Sequence, residues 1–184
     1  MTSLGDGKLL DQDIRGTGVT FGALALEARA ARELAYAPFS GFRVGAAALG
    51  AGGRVFRGCN VEAAAYPLTN CAERVAIQKA VSEGERRIVA VAVVGDAAYL
   101  RRSTGGGGAG PAAGGGGAGS AAGGGATGAE RLGLFVTPCG ACRQIIFEFG
   151  PDASVLLLDL EGDYHLTSAR ELLPGGFRLE GFSA

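Results

Sequence analysis

Ile88-Val89-Ala90-Val91-Ala92-Val93-Val94 has no polar residue in either phase of a two-residue alternation. A strand with that pattern is buried on both faces, and its sheet needs helices on each side. Towards the N-terminus, Cys71 to Val81 reads as a helix stopped at Gly84. Before it, Phe42 to Leu49, the turn Ala51-Gly52-Gly53 and Arg54 to Val61 read as a hairpin. Thr20 caps an earlier helix that runs to about Leu34, with Leu24, Ala28, Ala31, Leu34 and Ala35 at helical spacing. Ala37-Pro38-Phe39-Ser40-Gly41 breaks that helix, and residues 1–19 read as a flexible N-terminal tail.

On the C-terminal side comes Thr104 to Gly128, almost entirely Gly, Ala and Ser. Such a stretch has no apolar surface to offset its ordering entropy and reads as a flexible loop. It lacks a phosphate-binding pattern, and each doubling of loop length costs a fold only about 0.6 kcal/mol. Leu132 to Val136 then leads into Pro138, and Gly140 to Phe149 is a helix carrying Ile145, Ile146 and Phe149 inward. Val155 to Leu160 is a fourth buried strand, and Tyr164 to Leu166 is a short fifth one. Thr167 or Ser168 caps a last helical turn, which Pro174-Gly175-Gly176 ends before a tail from Phe177 to Ala184. Strands alternating with helices predict one α/β domain over 20–184, interrupted by the 104–128 loop. Its expected architecture is three layers, α/β/α, around a mixed sheet of about five strands.

At 184 residues and 47% hydrophobic content the chain can bury a sizeable core. Seventeen basic and eighteen acidic side chains leave a net charge of −1, without a run of Lys and Arg. A nucleic-acid backbone therefore finds no electrostatic footprint, and no membrane partner is expected either. No stretch of about 18 apolar residues is present, and Met1 to Asp13 carries charges where a secretory segment would be apolar. The expectation is a cytoplasmic protein, in which four cysteines serve metal or redox chemistry.

Thr137-Pro138-Cys139-Gly140-Ala141-Cys142-Arg143-Gln144 sets two cysteines three residues apart. With Pro138 opening a helix, both sulfurs face the same side of its first turn. Thr69-Asn70-Cys71-Ala72-Glu73-Arg74 adds a third cysteine and, two residues on, a carboxylate, again where a helix begins. Three soft ligands suit one Zn²⁺, with the fourth position left to a water whose pKa falls to about 7. Glu73 is then the proton shuttle. Helix N-termini favour thiolate, and Arg74 and Arg143 are candidates to balance the sulfur charge. Two other readings stand beside this one: a thioredoxin-like Cys139/Cys142 redox pair, and a closed structural site that also uses Cys59. The first leaves Cys71 and Glu73 unexplained, and Cys59 reads as a small mid-strand hydrophobe. His165, the only histidine, reads as a surface residue, so a Cys–His hydrolase has little support.

Cys71-Ala72-Glu73 followed by Pro138-Cys139-x-x-Cys142 resembles the zinc nucleoside deaminases, and most of all the small homotetrameric cytidine deaminases. The resemblance extends through Ala35-Tyr36-Ala37-Pro38-Phe39-Ser40, Phe42-Arg43-Val44-Gly45-Ala46, Gly58-Cys59-Asn60-Val61-Glu62 and Leu172-Leu173-Pro174-Gly175-Gly176-Phe177. It implies zinc on Cys71, Cys139 and Cys142, and Glu73 as the proton carrier. It also implies Phe42 packed on the pyrimidine, Asn60 and Glu62 on the ribose, and the Ala72 amide on the base carbonyl. Phe177 would reach a neighbouring subunit's pocket in a homotetramer with shared sites. The implied reaction is hydrolytic deamination of cytidine and 2′-deoxycytidine, in which a zinc-activated hydroxide attacks the ring. The alternative is a deaminase of the same fold acting on a nucleoside-like antibiotic or another cytosine derivative. Rivals of other kinds are a polynucleotide-editing deaminase and a silent zinc module; the composition disfavours the first and Glu73 the second. Three features depart from the family pattern: Ala63 in place of Asn, Pro67 before the second helix, and the Gly-rich insertion.

Overall fold

The computed structural model describes residues 8–97, 99 and 135–178. The Gly-rich stretch, residues 1–7 and most of the C-terminal tail lie outside the described residues. In chain order come α1 (Phe21–Glu33), β1 (Val44–Gly50), β2 (Val55–Cys59), a 3₁₀ turn (Tyr66–Leu68) and α2 (Ala72–Ser82). There follow β3 (Ile88–Gly95), α3 (Gly140–Phe149), β4 (Ser154–Leu158), β5 (Tyr164–Ser168) and α4 (Ala169–Leu172). The strands form one five-stranded sheet in the order β2-β1-β3-β4-β5. Only β3 and β4 run parallel; β1 is antiparallel to β2 and β3, and β5 to β4.

The alternation of side chains along each strand divides the core in two. Ala46, Ala48, Val91, Val93, Val155 and Leu157 face one cluster, with Ala76 and Ile77 from α2 and Ile146 and Phe147 from α3. Ala47, Leu49, Ala92, Val94, Leu156 and Leu158 face the other, with Leu24 and Ala28 from α1. Helices therefore cover both faces, and every β3 residue is buried, as its uninterrupted apolar run requires. Truncating a side chain such as Ile77, fully buried on the sheet-facing side of α2, would cost about 2–5 kcal/mol.

Register brings the functional elements to one end of the sheet. Val44 at the start of β1 lies opposite Gly95 at the end of β3, and Gly45 lies opposite Cys59 at the end of β2. A Cβ on Gly95 would stand 2.7 Å from Val136, so the strand end and the chain entering Pro138 pack in direct contact. On β2, a Cβ on Gly58 would lie 2.4 Å from both Ala72 O and Ala76 N. Only glycine lets the first turn of α2 approach the sheet so closely.

Several expectations need correction. The tail is not loose over its described part: Ile14 is 1% exposed, its amide bonds Val19 O, and Leu9 and Leu10 pack beside it against the α1 side of the sheet. Polar neighbours hid these apolar residues. Leu34 is the C-cap of α1 and 73% exposed, because it lies about 80° around the helix from the Leu24/Ala28/Ala31 stripe. On α3 Phe147 is buried, whereas Ile145 and Phe149 are partly buried against the core. β1 starts after Phe42, and β2 stops at Cys59, where the Asn60 side chain takes over the backbone pairing. Cys59 is accordingly half-buried at a strand end, its thiol directed to Leu34 O at 3.4 Å, and not a mid-strand core residue. β4 ends at Leu158, since the Asp159 carboxylate accepts from Gly162 N and Asp163 N and turns the chain. Ser168 is the cap of α4, with a reciprocal capping box to Glu171.

Candidate active site

Cys71 and Cys139 occupy equivalent places, each the N-cap of a helix, with no side-chain capping bond from either. Their carbonyls accept the first helical bonds, from Val75 and Arg143, and their sulfurs stay available. Cys142 sits one turn into α3 and is fully buried. α2 and α3 lie on the same face of the sheet, and their N-termini meet. Cys71 Sγ and Cys139 Sγ are 3.9 Å apart, and all three sulfurs lie within 4.8 Å of one another.

The chemistry of this donor set fits a divalent cation. A hydrogen bond from Cys142 and the positive charge of Arg74 bring the Cys71 thiol down to about 5, against the opposing effect of burial. Cys142 moves the opposite way, held as a thiol by that same hydrogen bond, by burial and by the negative charges of Glu73 and its fellow cysteines. The sulfurs are thus arranged so that a positive charge must stand among them, and a soft cation serves where a proton otherwise would. Arg74 donates to Thr69 O at 2.7 Å and reaches Cys71 Sγ at 3.9 Å, while its Nε is buried without a hydrogen-bond partner. Arg143 is different. Its guanidinium donates to Pro138 O and Leu172 O, so it ties the cysteine loop to α4, and among the described residues no hydrogen bond joins it to sulfur.

Glu73 lies in the first turn of α2 and is 4% exposed. Burial raises its carboxyl to about 7, against the pull of its own backbone amide, and the Cys71 charge adds to the rise. A carboxyl poised there both takes and gives a proton at neutral pH.

Phe42, Asn60 and Glu62, which the resemblance assigns to the substrate, lie in loops. Asn60, 8% exposed, donates to Phe42 O at 2.8 Å and accepts from Val44 N at 2.8 Å. Glu62, also 8% exposed, accepts from Phe39 N and Ser40 N at 2.9 and 3.2 Å and from the Ser40 hydroxyl. Burial alone would raise the Glu62 carboxyl, but these donors outweigh it and hold the group below the usual carboxylate range. Ala63, which stands where the family pattern has Asn, donates its amide to Thr69 Oγ1 at 3.1 Å. Pro67 sits within the 3₁₀ turn that precedes Cys71.

The cytidine and deoxycytidylate deaminase zinc-binding region matches residues 22–158. The chain belongs to this deaminase family. A cytidine deaminase of Sporosarcina psychrophila is 41% identical over 161 residues, 87% of this chain and 93% of the relative. One from Halalkalibacterium halodurans is 43% identical over 158 residues, 85% and 93% of the two chains. Among solved structures, a cytidine deaminase from Burkholderia pseudomallei superposes with a TM-score of 0.64 at 41% identity, covering 86% of this chain and all of its own.

For a deaminase-family chain, two further placements matter. Ala72 is the first residue of α2 and fully buried between Cys71 and Glu73, so its amide belongs to the unpaired donors of a helix start. Phe177 is 68% exposed, its carbonyl accepting from Gln144 Nε2 at 2.9 Å. His165 is half-buried and stacks on Phe135, with ring centroids 6.1 Å apart. Sequence reasoning missed Tyr99, whose ring lies 5.1 Å from that of Phe42. No motif surrounds it, and its ring and hydroxyl contacts to Phe42 and Ser40 are distant in sequence. Among the described residues no helix is long and apolar enough to cross a membrane.

Proposed function

We propose that this chain hydrolyses cytidine and 2′-deoxycytidine to the corresponding uridines and ammonia. The observation that carries this reading is the convergence of Cys71, Cys139 and Cys142 within 4.8 Å beside the buried carboxyl of Glu73. Zinc held by the three cysteines supplies, when bound, an activated water as nucleophile for C4 of the pyrimidine. Glu73 would carry the two protons of that water in turn, giving the first to ring N3 and the second to the departing amine. Its near-neutral poise suits both directions of transfer.

In this reading Phe42 packs on the pyrimidine and the Ala72 amide binds the base carbonyl. Asn60 and Glu62 meet the ribose. Each has a first task within the protein, but Asn60 retains a second N–H, and a carboxylate offers about four acceptor positions, of which Glu62 uses three. Arg74 balances thiolate charge, which its 3.9 Å approach to Cys71 supports. Ultraviolet loss of the cytosine band tests the substrate class with cytidine, deoxycytidine, cytosine and the monophosphate, each with and without chelator. Turnover of both nucleosides, abolished by chelation, is expected; turnover of cytosine alone would overturn the nucleoside reading.

The chain acts as a homotetramer with shared active sites, in which Phe177 covers the base in a neighbour's pocket. Its 68% exposure supports this, as does the exposure of Leu34, Tyr36, Val61, Tyr66 and Leu68 elsewhere on the chain, since such side chains are anchors when a partner covers them. Mixed oligomers of Glu73→Gln and Phe177→Ala chains should regain activity that neither parent shows at low cytidine. An active monomer in sedimentation would overturn the shared site.

A further inference from the structure

We propose that Tyr99 is a positioning residue that sets the substrate wall of the site, through its ring on Phe42 and its hydroxyl on Ser40. The inference rests on the reading that Phe42 meets the pyrimidine. Tyr99 follows the end of β3, where its amide donates to Asp96 O and Oδ1 at 3.2 and 2.9 Å. That turn places the ring stacked on Phe42, with centroids 5.1 Å apart and planes 27° from parallel. The hydroxyl donates to Ser40 O at 2.5 Å, across 59 residues of sequence.

The two contacts reach different parts of one network. Phe42 is only partly buried at the edge of the core cluster and lies outside any strand, so its ring orientation depends on what packs on its remaining face. Tyr99 supplies that backing, with an aromatic pair in the favoured separation range. Ser40 in turn donates through its amide and hydroxyl to Glu62, and its hydroxyl accepts from Phe42 N at 2.9 Å. Fixing the Ser40 carbonyl therefore fixes the donors that hold Glu62. The ring serves the base side of the wall and the hydroxyl serves the ribose side. Neither contact touches the cysteines, so the metal and proton chemistry should be indifferent to both.

Steady-state kinetics on cytidine test this, with zinc content measured for each protein. Tyr99→Phe keeps the ring and the fold and loses the hydroxyl; KM should rise about threefold to tenfold, with kcat within twofold and one zinc per chain. Tyr99→Ala should raise KM about tenfold to a hundredfold, again without loss of zinc. In a Phe42→Ala background, Phe and Ala at position 99 should give equal KM, because the ring no longer has anything to back. Unequal values there would overturn the route through Phe42. Wild-type KM in both Tyr99 variants, while Phe42→Ala raises it, would overturn the role of Tyr99 alone. A Phe42→Ala enzyme with unchanged KM would instead overturn the placement of the base, and the inference with it. Falling kcat and zinc content at unchanged KM would mark Tyr99 as merely structural and overturn the proposal.

Discussion

The two halves of the site are built by different means. The metal half stands on the first turns of α2 and α3, helices packed against a fully buried sheet, with Gly58 admitting α2 to contact. The proposed substrate half stands on residues 37–42 and 60–63, which belong to no strand and are held by hydrogen bonds that involve the side chains of Asn60, Glu62, Ser40 and Tyr99. Helix placement is over-determined by many apolar contacts, whereas a hydrogen-bonded loop has few and can be altered one bond at a time. The comparison separates two kinds of defect: loss of chemistry from the first half and loss of affinity from the second.

The largest effect is expected at the cysteines. Replacing Cys71, Cys139 or Cys142 by alanine should abolish both zinc binding and turnover, while Cys59→Ala, whose thiol points to Leu34 O, should keep one zinc per chain by metal analysis. Zinc loss in Cys59→Ala would break the assignment. Next, Glu73→Gln should retain zinc and fold but lower kcat by about 10²–10⁴, because a carboxamide cannot carry protons. Single-turnover assays on the zinc-loaded protein would show it.

A smaller effect should follow from moving the metal half as a body. Gly58→Ala places a methyl group 2.4 Å from Ala72 O and Ala76 N and must push the start of α2 away from the sheet. Overpacking of this kind costs about 1–3 kcal/mol, and both thermal stability and zinc affinity should fall together. If only stability fell, the close contact would not be what seats Cys71.

The smallest effect is a pH dependence in the substrate half. Glu62 has its carboxyl held below the ordinary range, so it binds fewer protons when folded than when unfolded. Its contribution is fully present above the unfolded value of about 4.3 and is lost as pH falls through the lower folded value. The melting temperature of the native chain should therefore fall more steeply on acidification below about pH 4 than that of Glu62→Gln. Equal slopes would show that the donors from Phe39 and Ser40 do not favour the charged form.

Much of the metal half was legible in the sequence because its geometry is local. Pro138 and the three-residue spacing of Cys139 and Cys142 dictate one helix face, and α3 begins and ends where the pattern places it, at Gly140 and Phe149. The substrate half was legible only through resemblance, and incompletely. The partners of Asn60 are 16 and 18 residues away, and Tyr99 has no local pattern to announce it. Arg143 shows the same limit: adjacency to Cys142 suggested charge balance at sulfur, and its bond to the carbonyl of Leu172, 29 residues on, has no local signal.

By itself, then, the chain's sequence determined the elements with strong periodicity or capping chemistry: the buried β3, α1 behind Thr20, a last helical turn behind Thr167 or Ser168, and the cysteine turn. Periodicity and caps act within a few residues, where the backbone's own geometry settles the outcome. Only the tertiary structure decided that Cys71 meets Cys139 across 68 residues, that Ile14 belongs to the core, and that Tyr99 backs Phe42. Each of these depends on sheet order and strand register, which set which chain ends converge. Register is fixed by burial of whole faces at once and is not written in any single stretch.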